Sequence, residues 1–234
     1  MSIWIKICAN TSLEDALMAV DAGADAVGFV FAPSPRRVTA AEVAGIAPRL
    51  PHAVEKFGVF VDAALEEIVS AVEACGLTGV QLHYDAEPAL PARLHQRLGP
   101  ELRILRVIRF RAETAGLHGV QLASHAQDPH VDAVLVDSCA ATAAGGTGVA
   151  FDWSAARKAL FQHGKTPLQA EKECKFIAAG GLNPGNVADA ITLLRPWGVD
   201  AASGVEAAPG RKDPAKVREF IARARAVEGD RWRR

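Results

Sequence analysis

A short apolar run followed by a stretch with helical periodicity recurs eight times along the chain, and no other feature constrains the fold as tightly. The apolar runs lie at 4–8, 26–31, 56–61, 79–83, 103–110, 133–137, 176–181 and 199–204. They are apolar throughout rather than alternating, the pattern of strands covered by helices on a parallel sheet. Helices are predicted at 12–22, 39–50, 65–75, 88–98, 154–161, 186–194 and 214–227, with a weakly patterned helical segment after the fifth run. Ser12 and Thr39 stand at N-cap positions, and Asp15 occupies the box position after Ser12. Eight such units in 234 residues fit a single-domain α/β fold, a closed (β/α)8 TIM barrel, better than a doubly wound open sheet. Residues 1–228 are assigned to the barrel and 229–234 to a short basic C-terminal tail.

Composition narrows the function classes. A formal net charge of −1 gives no general attraction to nucleic acid or anionic membrane. No apolar run reaches the roughly 18–20 residues of a membrane span, and no basic region precedes an apolar signal core. Cys8, Cys75, Cys139 and Cys174 are scattered without a CxxC pair. That distribution suits a reduced, cytoplasmic setting and suggests neither a disulfide framework nor a metal site. The expected partner is a small molecule, with no nucleic acid and no membrane; the sequence leaves monomer or homodimer open.

In a barrel of this type, residues at the C-terminal ends of the strands converge on one mouth. Read off the strand ends, they are Cys8, Arg36 and Arg37, Asp62, His83, Asp137, Gly180 and Gly181, and Ser203 and Gly204. The glycine pairs follow the last two strands, where barrels commonly bind phosphate through bare backbone N–H groups. Arg36 sits in the rigid Pro33-Ser34-Pro35-Arg36 loop and can face a planar carboxylate. Asp137 ends an apolar strand, where an ionised carboxyl is costly and a raised pKa would suit a general acid. Cys8 is either a small buried hydrophobe or a base whose thiolate is supported by nearby positive charge. A glycine-rich stretch at 145–148 lies in the long connection between strands six and seven and reads as substrate cover.

These residues resemble the phosphoribosylanthranilate isomerase family. Lys6-Ile7-Cys8 resembles its opening KICG. Gly28-Phe29-Val30-Phe31 with Ser34-Pro35-Arg36, Gly58 to Val61, Val80 to His83, Val134 to Ser138, Gly145 to Gly148, Gly180 to Pro184, Ser203 to Glu206 and Pro209 to Asp213 follow in order. The resemblance implies an Amadori rearrangement of N-(5′-phosphoribosyl)anthranilate, a phosphosugar, in tryptophan biosynthesis, without metal or organic cofactor. It implies Asp137 as general acid, Cys8 as general base and Arg36 on the anthranilate carboxylate. Gly180, Gly181, Ser203 and Gly204 would hold the phosphate, and His83 would line the substrate site. The related histidine-pathway isomerase uses two strand-end aspartates, and the first of those positions is Cys8 here.

The chain departs from the family pattern in three places. Ala9 replaces the glycine after the cysteine, Tyr84 replaces the glycine after QLH, and 164–175 is a polar insertion. A phosphosugar-binding barrel without turnover is the reading that Ala9 and Tyr84 would favour.

Overall fold

The computed structural model describes residues 2–83, 87–110, 124–125, 127–138 and 175–231. Eight parallel strands close into a barrel in sequence order. They are β1 (Trp4–Ile7), β2 (Ala26–Val30), β3 (Glu55–Val61), β4 (Gly79–His83), β5 (Arg103–Phe110), β6 (Ala133–Ser138), β7 (Lys175–Ala179) and β8 (Gly198–Ala201). Closure is the pairing of β1 with β8, in which Lys6 lies opposite Asp200 and Ile7 opposite Ala201. The described helices are α1 (Leu13–Asp21), α2 (Ala40–Ile46), α3 (Leu65–Cys75), α4 (Leu90–Leu98), α5 (Val187–Leu194) and α6 (Pro214–Arg231).

Because successive side chains on a strand face opposite ways, each strand serves two cores. On β5, Leu105 and Val107 join the cluster inside the barrel. Ile104, Ile108 and Phe110 join the larger cluster between strands and helices. The interior is filled by setting large residues against glycines. Phe57 on β3 lies where a Cβ on Gly79 would come within 2.3 Å of its ring, and Trp4 on β1 lies within 2.8 Å of one on Gly198. Trp4 also stacks on Trp197 at 5.2 Å and meets Phe57 edge-on at 5.9 Å. These rings fill the N-terminal end of the barrel, and polar side chains lie above them toward the mouth.

The caps follow the sequence closely. Ser12 accepts from the Asp15 backbone, but the Asp15 carboxylate receives the Lys212 backbone N–H rather than closing a box. Thr39 and Glu42 form the full reciprocal box. The second helix is shorter than its periodicity predicts: Pro48 falls in a 3-10 turn at Ala47–Arg49 that ends it. The last helix is longer, running through Arg231 into the segment assigned to the tail.

An antiparallel pair was not anticipated: β9 (Glu206–Ala208) with β10 (Arg211–Lys212), turning at Gly210 in the left-handed region. It folds back toward β1, where the Thr11 hydroxyl donates to the Gly210 carbonyl at 2.6 Å. Most of the segment after β5, the 145–148 loop, the 154–161 helix, Tyr84, Cys139, Cys174 and all of the 164–175 insertion except Lys175 lie outside the described residues.

Candidate active site

Polar residues inside otherwise apolar strands form the floor of the mouth. Lys6 is fully buried, and its Nζ donates to Gln81 Oε1 at 2.8 Å and to Asp200 Oδ1 at 3.1 Å. Burial alone would lower this ammonium, but Asp200 and Cys8 beside it outweigh burial and leave it raised. Lys6 requires Gln81 Oε1 as the acceptor, so the Gln81 amide N–H donates to His83 Nε2 at 2.9 Å. The network thereby assigns the His83 proton to Nδ1. Burial, then Lys6 and Arg109, push His83 down to about 4, and the ring is neutral.

Cys8 follows β1 directly and is 5% exposed. A Cβ on Gly28 of β2 would lie 2.6 Å from its Sγ and 3.0 Å from Lys6 Cε. Gly28 thus leaves the space in which thiol and lysine stem sit together. The next residue, Ala9, adopts φ +61°, a left-handed conformation that favours glycine. Its neighbours hold it there: Cys8 N–H donates to the Ala201 carbonyl at 2.8 Å, and Asn10 N–H to Gly28 at 2.9 Å. The Asn10 amide adds a bond to the Ile7 carbonyl at 2.8 Å. The positive charge that a reactive thiol requires is present in Lys6 and Lys212. Burial nevertheless outweighs it and pushes the Cys8 thiol up, so the resting side chain is a thiol.

Asp137 ends the inward face of β6, opposite Arg109 on β5 and Ala179 on β7. Burial first, and then the Asp200 carboxylate, push it up to about 6, against the opposing pull of Arg109 and Lys6. Lys6 and Asp200 act on both Cys8 and Asp137, so the two strand-end groups share one electrostatic centre.

Arg36 is not a solvated arginine. Its Nε donates to both Glu206 oxygens at 2.9 and 3.1 Å, and its Nη2 donates to Oε2 at 2.7 Å. Glu206 is buried and also receives Lys212 Nζ at 3.3 Å. Burial works to raise Glu206, but Arg36 and Lys212 outweigh it and hold the carboxyl below its usual range.

The two glycine pairs come together. A Cβ on Gly204 would fall 2.0 Å from the Leu182 carbonyl, so the loop after β8 rests against the loop after β7 only because that residue is glycine. Gly180 and Gly181 both have positive φ, 83° and 65°. Among the described residues, the backbone N–H groups of Gly181, Ser203 and Gly204 have no protein acceptor. Asp62 lines a cleft of about 390 Å³ with Ala64, Leu65, Glu87, Leu90 and Arg93, and a smaller one with His83.

Sequence reasoning missed Lys6, Gln81 and Asp200 as site residues, along with Glu206 and Lys212. A signal existed for the first two: Lys6 and Gln81 stand two residues before Cys8 and His83, on the same inward face, in strands otherwise apolar. Asp200 interrupts β8 in the same way.

The comparisons with known proteins agree with this geometry. The model of the N-(5'phosphoribosyl)anthranilate (PRA) isomerase family matches residues 5–223. The chain belongs to this family of isomerases. An N-(5'-phosphoribosyl)anthranilate isomerase of Pelobacter propionicus is 40% identical over 99% of this chain and 100% of its own length. One from Magnetococcus marinus is 42% identical over 97% and 98%. The crystal structure of the Thermotoga maritima phosphoribosyl anthranilate isomerase superposes with a TM-score of 0.78 at 34% identity, covering 96% of this chain and 99% of that one. A family structure in complex with reduced 1-(o-carboxyphenylamino)-1-deoxyribulose 5-phosphate gives 0.77 at 32% identity, with the same coverage. Family membership and a closed eight-stranded barrel therefore stand together, as the strand rhythm and the ordered motifs predict.

Proposed function

We propose that this barrel converts N-(5′-phosphoribosyl)anthranilate into 1-(2-carboxyphenylamino)-1-deoxyribulose 5-phosphate, with Asp137 and Cys8 as the proton-transfer pair. The observation that carries this reading is Asp137: a buried carboxyl pushed up to about 6, in one electrostatic centre with Cys8. Protonated Asp137 gives its proton to the furanose ring oxygen; the C1′–O bond breaks and an iminium forms between C1′ and the anthranilate nitrogen. The iminium acidifies the C2′–H, and the Cys8 thiolate takes that proton to leave an enolamine. Loss of the enol proton and gain of a proton at C1′ then give the ketone. Atoms balance, as an isomerisation requires, and every step is proton transfer by side chains held in place.

The competent form pairs a protonated carboxyl with a thiolate, which reverses the order of their affinities. It is a minor fraction of the resting protein. Lys6 and Lys212 stabilise the thiolate when it forms, and burial, with Asp200, raises the proton affinity of Asp137. Arg36 is the partner for the anthranilate carboxylate. Backbone N–H groups of Gly181, Ser203 and Gly204, with the Ser203 hydroxyl and the bend at Gly180, form the phosphate cradle. His83, neutral and fixed by Gln81, lines the sugar side and cannot act as an acid at neutral pH.

The test is turnover. Freshly generated phosphoribosylanthranilate is fluorescent through its anthranilate group, and its loss on adding the protein, with an aminoketose of unchanged mass as product, is expected. Phosphate-competable binding without any conversion would defeat the proposal and favour the binding-barrel reading.

A further inference from the structure

Arginine presents two flat edges to a carboxylate, one formed by Nε and Nη2 and the other by Nη1 and Nη2. In this chain the first edge is taken. All three Arg36–Glu206 hydrogen bonds, at 2.7 to 3.1 Å, use Nε and Nη2. Among the described residues the outer edge meets no protein acceptor. Glu206 is itself immobilised. It is 6% exposed, receives Lys212 Nζ at 3.3 Å and the Gly210 backbone N–H at 3.4 Å, and begins the β9–β10 hairpin. Lys212 is tied in turn to the Ala202 carbonyl at 3.1 Å, beside the glycine loop after β8. Arg36 belongs to a loop after β2, where its backbone N–H donates to the Ser34 hydroxyl at 3.0 Å and that of Arg37 to the Ser34 carbonyl at 3.1 Å. The loop alone does not aim the guanidinium; a residue 170 positions later does.

We propose that Glu206 is a positioning and specificity-determining residue: by occupying the inner edge of Arg36 it turns the outer edge to the ring carboxylate of the substrate. This rests on the proposed function. Glu206 touches no substrate atom and acts through Arg36. It also supplies a negative charge between the Arg36 and Lys212 cations, so the mouth is not a general anion trap. Without Glu206, the guanidinium gains rotamer freedom and loses its fixed bidentate geometry, while Lys212 keeps its bond to the Ala202 carbonyl and Lys6 keeps its bonds to Gln81 and Asp200 beside Cys8.

The experiment uses Glu206→Gln in the full chain, with two probes. One is the reduced product analogue bearing a carboxyphenyl ring; the other is the same compound with a plain phenyl ring. Wild type and variant are compared by calorimetric Kd. KM and kcat for phosphoribosylanthranilate are measured beside them. Expected is a weakening of about 10- to 100-fold for the carboxyphenyl probe, from misplacement of one charged contact. The phenyl probe should change by less than about twofold, and the turnover loss should fall mainly in KM. Equal weakening of both probes, or weakening of neither, overturns the inference. Glu206→Asp guards against a folding defect: with a thermal transition like wild type, it should restore part of the carboxyphenyl preference, and failure to restore any also overturns it. Failure of the wild-type protein to bind either probe would instead overturn the proposed function.

Discussion

Replacing Asp137 by Asn should cut turnover by about 10²-fold or more and yet stabilise the fold, by an amount that grows with pH. The carboxyl is raised from 3.8 to about 6 by burial and by Asp200. A raised acid is most at ease below its unfolded pKa, and its relative stability is lost as pH climbs through the folded pKa. Asn mimics the protonated form and avoids that loss. At about 1.4 kcal/mol per unit, linkage gives a gain for the variant of about 1 kcal/mol at pH 4.5, about 2 near pH 5.5 and about 3 at pH 8. Urea unfolding of both proteins across that range, compared as differences, isolates this one group because the other titrations cancel. A stabilisation that stays flat with pH, or a destabilisation at pH 8, would refute the claim that its surroundings raise the proton affinity of Asp137.

Other consequences are as specific. Ala9→Gly relieves a left-handed alanine at φ +61° and should add roughly 0.5–1 kcal/mol to stability, net of the extra freedom of glycine when unfolded; a lowered midpoint in urea would argue against strain there. Gly28→Ala would put a Cβ 2.6 Å from Cys8 Sγ and should reduce kcat by about 10-fold or more through displacement of the thiol; unchanged kcat in a folded variant would remove Gly28 from the site. Lys6→Met strands the buried Asp200 partner and should cost about 3–5 kcal/mol, with much of the loss recovered in the Lys6→Met/Asp200→Asn double variant; additive losses would show that the pair is not coupled. The pH profile of kcat/KM should rise to a break at about 6, where Asp137 titrates, and then stay flat toward the high thiol pKa. A maximum confined to pH below 6 would contradict the reversed protonation.

Much of the frame is legible because it depends on local pattern. The bounds of β4 and β5 follow directly from runs of mostly apolar residues, and that of α3 from a helical pattern closed by Gly76. The Thr39 box is written in Thr39 and Glu42 alone. Residues at strand ends were also readable, since a parallel barrel brings every such end to one mouth. What local pattern does not carry is who meets whom across the barrel. Glu206 and Arg36 are distant in sequence, and only the β9–β10 hairpin, too short to show as a periodic run, brings them together. Lys6 reads as one polar residue in a strand until closure of β1 on β8 sets it opposite Asp200. Arg36 illustrates the difference: its loop is readable in Pro33 and Pro35, but its aim is set from elsewhere. The state of Cys8 was likewise undecidable from sequence, because burial and two lysines oppose one another and only their relative placement settles the direction.

The most direct test of the central claim is a comparison of wild type, Cys8→Ala and Asp137→Asn by loss of phosphoribosylanthranilate fluorescence, with folding of each confirmed by urea unfolding. Turnover by the wild type, with a loss of about 10²-fold or more in each folded variant, is the expected result for an acid and a base on separate strands. Wild-type turnover that survives either substitution nearly intact would contradict it.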